Sequence, residues 1–197
     1  MNNISQNSTT FDSNGHYNQS LLLNGSNSSY FQTNGFYYLG VSNYSYSISL
    51  WIYAFNNSGI IIQLGSSGNW CVSILGFDDK GYLTAQILGT NGLYSITYNY
   101  TVFQLNTWVC VAMTYSVTNG IRLYVNGWMG NSSNNPKDYQ GNGQHCTITL
   151  GNSLNGYSCF VNETIITRSQ FRGKIDELKI FSCELTLAET LQSPSLP

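Results

Sequence analysis

Charge is what this chain has least of. Its 197 residues hold 7 Lys and Arg, 9 Asp and Glu and 2 His, so charged residues make up 8% and the formal net charge is −2. Duplex nucleic acid is gripped largely through Lys and Arg on phosphates, and so few scattered basic residues exclude that partner. They also exclude polybasic attachment to a membrane surface. No apolar run approaches the roughly 20 residues of a membrane-spanning helix, so insertion by this segment is not expected. Behind Met1 come Asn, Ser and Gln, with neither the basic stretch nor the apolar one of a secretory signal. Proline is scarce, and Pro136, Pro194 and Pro197 all stand outside the segments that read as strands. The five cysteines, Cys71, Cys110, Cys146, Cys159 and Cys183, include no C-x-x-C pair, which leaves zinc and thioredoxin-like readings without their spacing.

With so little charge, solubility falls to neutral polar groups or to attached sugar. Asn-x-Ser/Thr triplets stand at Asn3, Asn7, Asn18, Asn24, Asn27, Asn43, Asn56, Asn99, Asn131 and Asn162. N-linked glycan requires a surface site on a secreted protein, although Asn- and Ser-rich loops also generate such triplets by chance. The expectation is a glycoprotein that is secreted or held at the extracellular surface, its signal lying outside these residues. In an oxidising compartment five cysteines read as two disulfides and one leftover thiol. The alternative is five buried thiols acting as small hydrophobes.

Asn-Gly, the strongest short hairpin signal, begins at Asn14, Asn24, Asn34, Asn91, Asn119, Asn126, Asn142 and Asn155. Runs rich in β-branched and aromatic residues lie between these turns and predict strands near 20–23, 29–32, 45–55, 59–64, 70–77, 82–88, 94–100, 107–116, 121–126, 146–150 and 174–181. Helical character is confined to a turn near 185–191. Many closely spaced strands mean an all-β fold, an antiparallel sandwich or barrel. Segment 45–55 is apolar on both faces, with Ile48, Leu50 and Ile52 opposite Trp51, Tyr53 and Phe55; such a strand sits centrally or lies under a loop. Trp51 and Trp108 are assigned to the core. A chain of this length fits one domain able to bury roughly 70% of its unfolded surface. Residues 1–14 form a polar lead-in or partial first strand, 15–192 the sandwich and 193–197 the start of a linker; 131–143 reads as a long polar loop.

Four blocks then resemble LamG-like modules of the laminin G type 3, concanavalin A-like class. They are Gly15-His-Tyr-Asn-Gln-Ser-Leu-Leu-Leu-Asn-Gly25; Tyr46-Ser-Ile-Ser-Leu-Trp-Ile52; Asn106-Thr-Trp-Val-Cys-Val-Ala-Met-Thr-Tyr115 with Ile121-Arg-Leu-Tyr-Val-Asn-Gly127; and Phe171-Arg-Gly-Lys-Ile-Asp-Glu-Leu-Lys-Ile-Phe181 with Glu184-Leu-Thr-Leu-Ala-Glu189. The resemblance implies a jelly-roll sandwich of two antiparallel sheets, on a scaffold that hosts lectins, adhesion modules and hydrolases alike. Two departures stand out. Cys110 occupies a position where His is usual, and the usual first strand is missing or degraded within residues 1–11, leaving an edge that invites association.

Sugar hydrolysis on this scaffold needs two placed carboxylates, and the E-x-D-x-x-E run of the glucanase relatives is missing. Asp78-Asp79 and Asp176-Glu177 are adjacent pairs, which a strand sends to opposite faces. His16 and His145 stand beside Gly-rich turns, away from any nucleophile pattern, and read as solvated loop residues. An enzyme is therefore not expected. Relatives often hold calcium through oxygen ligands; Asp176 is the position to test, then Asp78 and Asp79. The alternative is that Asp176 accepts backbone N–H groups where the last strand bends. Rings that stack on sugar, with polar groups that fix hydroxyls, are sought among Trp70, Tyr82 and Trp128, with Asn126, Asp78 and Asp79 supplying hydrogen bonds. Packing is the competing role for each ring. The resemblance also brings Cys159 near Cys71, a bridge that would contribute about 2–4 kcal/mol; Cys110, Cys146 and Cys183 stay unassigned.

Two functions follow from this reading. One is a binding or adhesion module recognising glycan or another extracellular protein. The other is a structural glycoprotein subunit of a matrix, coat or filament, self-associating by strand addition from the lead-in or by cross-linking through the odd cysteine.

Overall fold

The computed structural model describes residues 5–7, 10–67, 70–99, 103–132, 138–153 and 165–192. In chain order the strands are β1 Ser5–Asn7, β2 Thr10–Asp12, β3 Ser20–Asn24, β4 Tyr30–Phe36, β5 Tyr46–Ala54, β6 Ile60–Gly65, β7 Cys71–Phe77, β8 Leu83–Gly89, β9 Gly92–Tyr98, β10 Trp108–Ser116, β11 Gly120–Val125, β12 Trp128–Ser132, β13 Cys146–Leu150 and β14 Arg172–Phe181. A 3-10 turn, Tyr38–Gly40, and one helix, α1 Leu187–Gln192, complete them. The strands pair into two antiparallel seven-stranded sheets. Sheet A has the order β1-β4-β13-β6-β7-β8-β9 and sheet B the order β12-β11-β10-β5-β14-β3-β2. The fold is an all-β sandwich of two antiparallel sheets in jelly-roll order.

Side-chain alternation builds the core. In β5, Ile48, Leu50 and Ile52 point between the sheets, joined by Val109, Val111 and Met113 of β10; Ile62, Leu64, Ile74 and Phe77 meet them from sheet A. Two inner faces that interdigitate in this way form a single apolar layer. The second faces are polar yet buried in places. On sheet A the register lines up Gln32, Thr149, Gln63 and Ser73, joined by bonds from Gln32 to Thr149 and from Ser73 to Gln63.

Three expectations are corrected. Trp51 and Trp108 are half-buried on the outward face of sheet B, because the period of two that sends Ile52 and Val109 inward sends their neighbours out. A loop lies over them: His16, an exposed loop residue, stacks on Trp51 with ring centroids 3.7 Å apart and meets Trp108 edge-on at 6.0 Å. Second, the polar lead-in holds two short strands. Ser5–Asn7 pairs with β4 and Thr10–Asp12 pairs with β3, giving each sheet a short edge strand from the polar lead-in. Third, Asn34-Gly35 does not end a strand. Gly35, at φ 101°, is the extra residue of a bulge opposite Cys146–Thr147, and β4 runs on to Phe36.

Among the described Asn-Gly pairs, Asn126-Gly127 is the one in which both residues take positive φ, 49° and 76°. That is the geometry of a two-residue hairpin turn, and it creates β12, whose Asn131 and Ser132 belong to a strand and not to the expected 131–143 loop. At the other end of the chain, Thr186 and Glu189 form a capping box that starts α1.

Candidate functional site

The Asn126-Gly127 turn stands at one end of the sandwich, where β10 begins, β9 ends and β11 turns into β12. A pocket of about 190 Å³ opens there between Tyr98, Phe103, Gln104, Val109, Val125, Asn126 and Trp128. Its floor is apolar, with Phe103 buried edge-on against Phe77 at 5.1 Å. Its side wall depends on a glycine: a Cβ on Gly130 would lie 1.9 Å from Tyr98 Cδ2, so only glycine lets the Tyr98 ring rest against β12. Asn126 is held twice by Cys110. Its backbone N–H donates to the Cys110 carbonyl at 2.8 Å, and its Oδ1 accepts from the Cys110 N–H at 2.9 Å. Trp128 stands at the rim and is 78% exposed. For an indole that is a large apolar area left in water. The site thus offers aromatic faces, a fixed amide and little charge.

The structure joins two of the six expected ligand residues, Asn126 and Trp128, and adds Tyr98, Phe103 and Gln104. Asp78 and Tyr82 occupy the β7–β8 turn at the same end of the fold. The Asp78 carboxylate is buried and accepts the N–H groups of Lys80 at 2.9 Å and Tyr82 at 2.8 Å, the work of a turn cap, while Asp79 is exposed. Trp70 is elsewhere. It precedes β7 where Asp78 follows it, roughly 25 Å away at the rise of an extended strand. Its ring packs on the core, edge-on to Tyr139, and its Nε1 donates to the Gln140 carbonyl at 3.0 Å.

Asp176, the residue considered for calcium, is committed to the backbone. Oδ2 accepts from Tyr17 N at 2.9 Å and Oδ1 from Glu177 N at 2.8 Å, where β14 bulges and Glu177 takes φ 50°. This fits the backbone-anchoring alternative and holds the His16 loop over Trp51. Among the described residues no three His, Cys, Asp or Glu gather around Asp176 or elsewhere as a metal cage. Other carboxylates are engaged as well: Asp12 with Lys174 at 2.8 Å, Glu177 with Lys179 at 3.5 Å, Glu184 with Arg122 at 3.4 Å, and Asp138 with Thr90 N at 2.6 Å. The Lys174 hydrogen bond holds Asp12 below the usual carboxylate range, and the Thr90 bonds do the same for Asp138.

Of the Asn-x-Ser/Thr asparagines, Asn18, Asn24, Asn27, Asn43, Asn56 and Asn99 are exposed. Asn131 is half-buried and its Nδ2, the atom a glycan would occupy, donates to the Thr97 carbonyl at 3.4 Å. Asn3, Asn162 and the side chain of Asn7 lie outside the described residues. Cys110 and Cys146 are buried free thiols, each pushed up to about 11 by burial, and Cys183 is an exposed one. Cys71 is not among these free thiols, and its expected partner Cys159 lies outside the described residues.

The sequence profile of the concanavalin A-like lectin/glucanases superfamily, laminin G type 3, matches residues 23–190. No curated protein matches the chain significantly. Among solved structures it is similar to the botulinum neurotoxin serotype G binding domain, with TM-score 0.68 and 17% identity over 97% of this chain and 45% of that one. It is similar to domain 4 of AbnA, a GH43 extracellular arabinanase from Geobacillus stearothermophilus, in complex with arabinotriose, with TM-score 0.66 and 20% identity over 98% and 87% of the two chains. The botulinum neurotoxin serotype D ligand binding domain in complex with N-acetylneuraminic acid follows, at TM-score 0.64 and 18% identity over 96% and 45%. At such identities the likeness is one of fold, and the chain spans less than half the length of the toxin domains it matches.

Proposed function

This chain belongs to the concanavalin A-like lectin/glucanases superfamily, and on that premise we propose that it is a non-enzymatic, extracellular glycan-binding module. The observation that carries the reading is the exposed Trp128 beside a pocket walled by Tyr98 and flanked by Asn126 and Gln104. At about 190 Å³ it is smaller than the roughly 300–1,000 Å³ pockets of drug-sized ligands. It suits one sugar ring, stacked on the aromatic wall, with the amides taking its hydroxyls. Two neighbours of the fold were solved with sugar bound, arabinotriose in one and N-acetylneuraminic acid in the other. Binding in place of cleavage is supported by the ties on Asp12, Asp78, Asp138, Asp176, Glu177 and Glu184, which occupy their carboxylates in turns and ion pairs. The exposed sequons support an extracellular site of action.

A glycan array probed with the folded chain, with and without calcium, tests this. Retention that depends on Trp128 is the expected result; silence under both conditions counts against the reading. The assembly-subunit alternative keeps one support, the exposed Cys183 thiol. Its other support weakens, because the lead-in strands pair within their own chain. A covalent dimer in intact mass under non-reducing conditions would favour it.

A further inference from the structure

A second set of exposed rings stands at the opposite end of the sandwich. The nine-residue strands β5 and β10 run between the two ends, about 30 Å at the rise of an extended strand. There Tyr38 stacks on Tyr44 with centroids 4.6 Å apart and planes 23° from parallel; Tyr37 lies edge-on to Tyr38 at 5.8 Å and beside His145 at 5.2 Å. Tyr37 is 46% and Tyr38 51% exposed. Aromatic side chains that only pack bury most of their area; here about half of the Tyr37 and Tyr38 side chains is open to solvent, with one face of Tyr38 resting on Tyr44.

The backbone beneath them is fixed. The 3-10 turn Tyr38–Gly40 is pressed against the loop before β13, where a Cβ on Gly40 would lie 1.8 Å from the Gln144 carbonyl oxygen. Gly143 N donates to Gly40 O at 2.8 Å, and Ser42 Oγ bridges to the backbone of Gly141. Trp70 anchors the same loop through the Gln140 carbonyl. The rings are therefore held in place before any ligand arrives, which lowers the ordering cost of binding.

The surroundings select the ligand. Segments 36–46 and 140–149 contain no Lys, Arg, Asp or Glu, and Asp138 just before the second is tied to Thr90 N. Gln144 adds an exposed neutral amide, while Asn142, Ser42 and Ser66 bond to one another's loops and brace the surface from beneath. Such a surface gains nothing from an ionic partner. We propose that Tyr37, Tyr38, Tyr44 and His145 form a second carbohydrate platform, for neutral sugar, separate from the Trp128 pocket. It is an open surface and takes rings of an extended oligosaccharide side by side.

The test uses the full chain carrying Ser45→Ala, which removes the Asn43 sequon while leaving the Asn43 amide that accepts from Tyr139 N. Arabinotriose, cellotriose and chitotriose are titrated while tyrosine ring NMR signals are followed. The expected result is movement of the Tyr37, Tyr38 and Tyr44 rings with at least one trisaccharide. The affinity reported by the Tyr44 ring should fall about 10-fold in Tyr37→Ala/Tyr38→Ala, survive in Tyr38→Phe, and stay unchanged in a chain carrying Trp128→Ala alone. Unmoved rings with all three sugars, or full affinity in the double variant, overturn the platform. If Trp128→Ala alone abolishes binding, the pocket stands and the platform falls; the reverse pattern sinks the pocket and keeps the platform.

Discussion

His16 and Trp51 lie face to face, 12° from parallel at 3.7 Å, although 35 residues of chain separate them in sequence. The contact is set by Asp176, which holds the Tyr17 N–H and so fixes the loop that carries the imidazole. His16→Ala should uncover the indole, shift tryptophan emission to the red and cost about 1 kcal/mol in a denaturant titration, the scale of one aromatic pair. An unchanged emission maximum would mean that the loop does not depend on this stack.

Trp128 and Asn126 border the same pocket but should fail differently. Trp128→Ala removes an exposed ring, so the thermal midpoint should hold, within about 0.5 kcal/mol, while sugar affinity at this pocket drops at least about 10-fold. Asn126→Ala strips the cap from Cys110 N and puts alanine at φ 49°, which should destabilise by about 1–3 kcal/mol. Asn126→Gly should recover the backbone part of that loss. Calorimetric unfolding beside a binding titration separates the two roles.

Thiol chemistry should follow depth. In the native state one cysteine per chain, Cys183, should take iodoacetamide, because Cys110 and Cys146 are buried with thiols near 11. Unfolding without reductant should raise the count to three, and reductant to five, if Cys71 and Cys159 are bridged as we propose. Intact mass after each step gives the answer, and five labels without reductant would exclude the bridge.

Acid should weaken the fold through its depressed carboxylates. Asp12, Asp138 and Glu189 ionise more readily in the folded chain than when unfolded, through bonds to Lys174, Thr90 and Thr186 respectively. Their stabilisation is complete above the unfolded carboxylate range, about 4. It declines as pH falls through the lower folded values. Thermal midpoints should be flat from pH 7 to about 5 and drop below that, with a shallower drop in Asp12→Asn.

Much of the sandwich was legible because period-two patterning is strong where one face is buried: β5, β7, β10 and β11 fall within a residue or so of expectation. The short strands were not. Ser5–Asn7 is polar throughout and Thr10–Asp12 holds a single apolar residue, Phe11, so no apolar alternation announces them. β12 follows a hairpin turn that the sequence did mark, but its Gly130 and Asn131 look like loop residues until Tyr98 is seen lying on the glycine. Trp51 and Trp108 misled because size suggests core, whereas parity decided the face. The pocket drew only two residues from the expected six; Tyr98, Phe103 and Gln104 come from other strands and loops, and their convergence depends on how the two sheets meet at that end. Trp70 looked equivalent to Trp128 because both border strands; only burial told them apart.

The two strands of the lead-in give the fold a particular weakness. One short run of chain supplies the outermost ladder of both layers, β1 for one and β2 for the other. A protease nick that freed this run would lay bare the N–H and C=O rows of β4 and β3 together. The trimmed domain would then carry two adhesive flanks, and its tendency to aggregate should rise long before its core is disturbed.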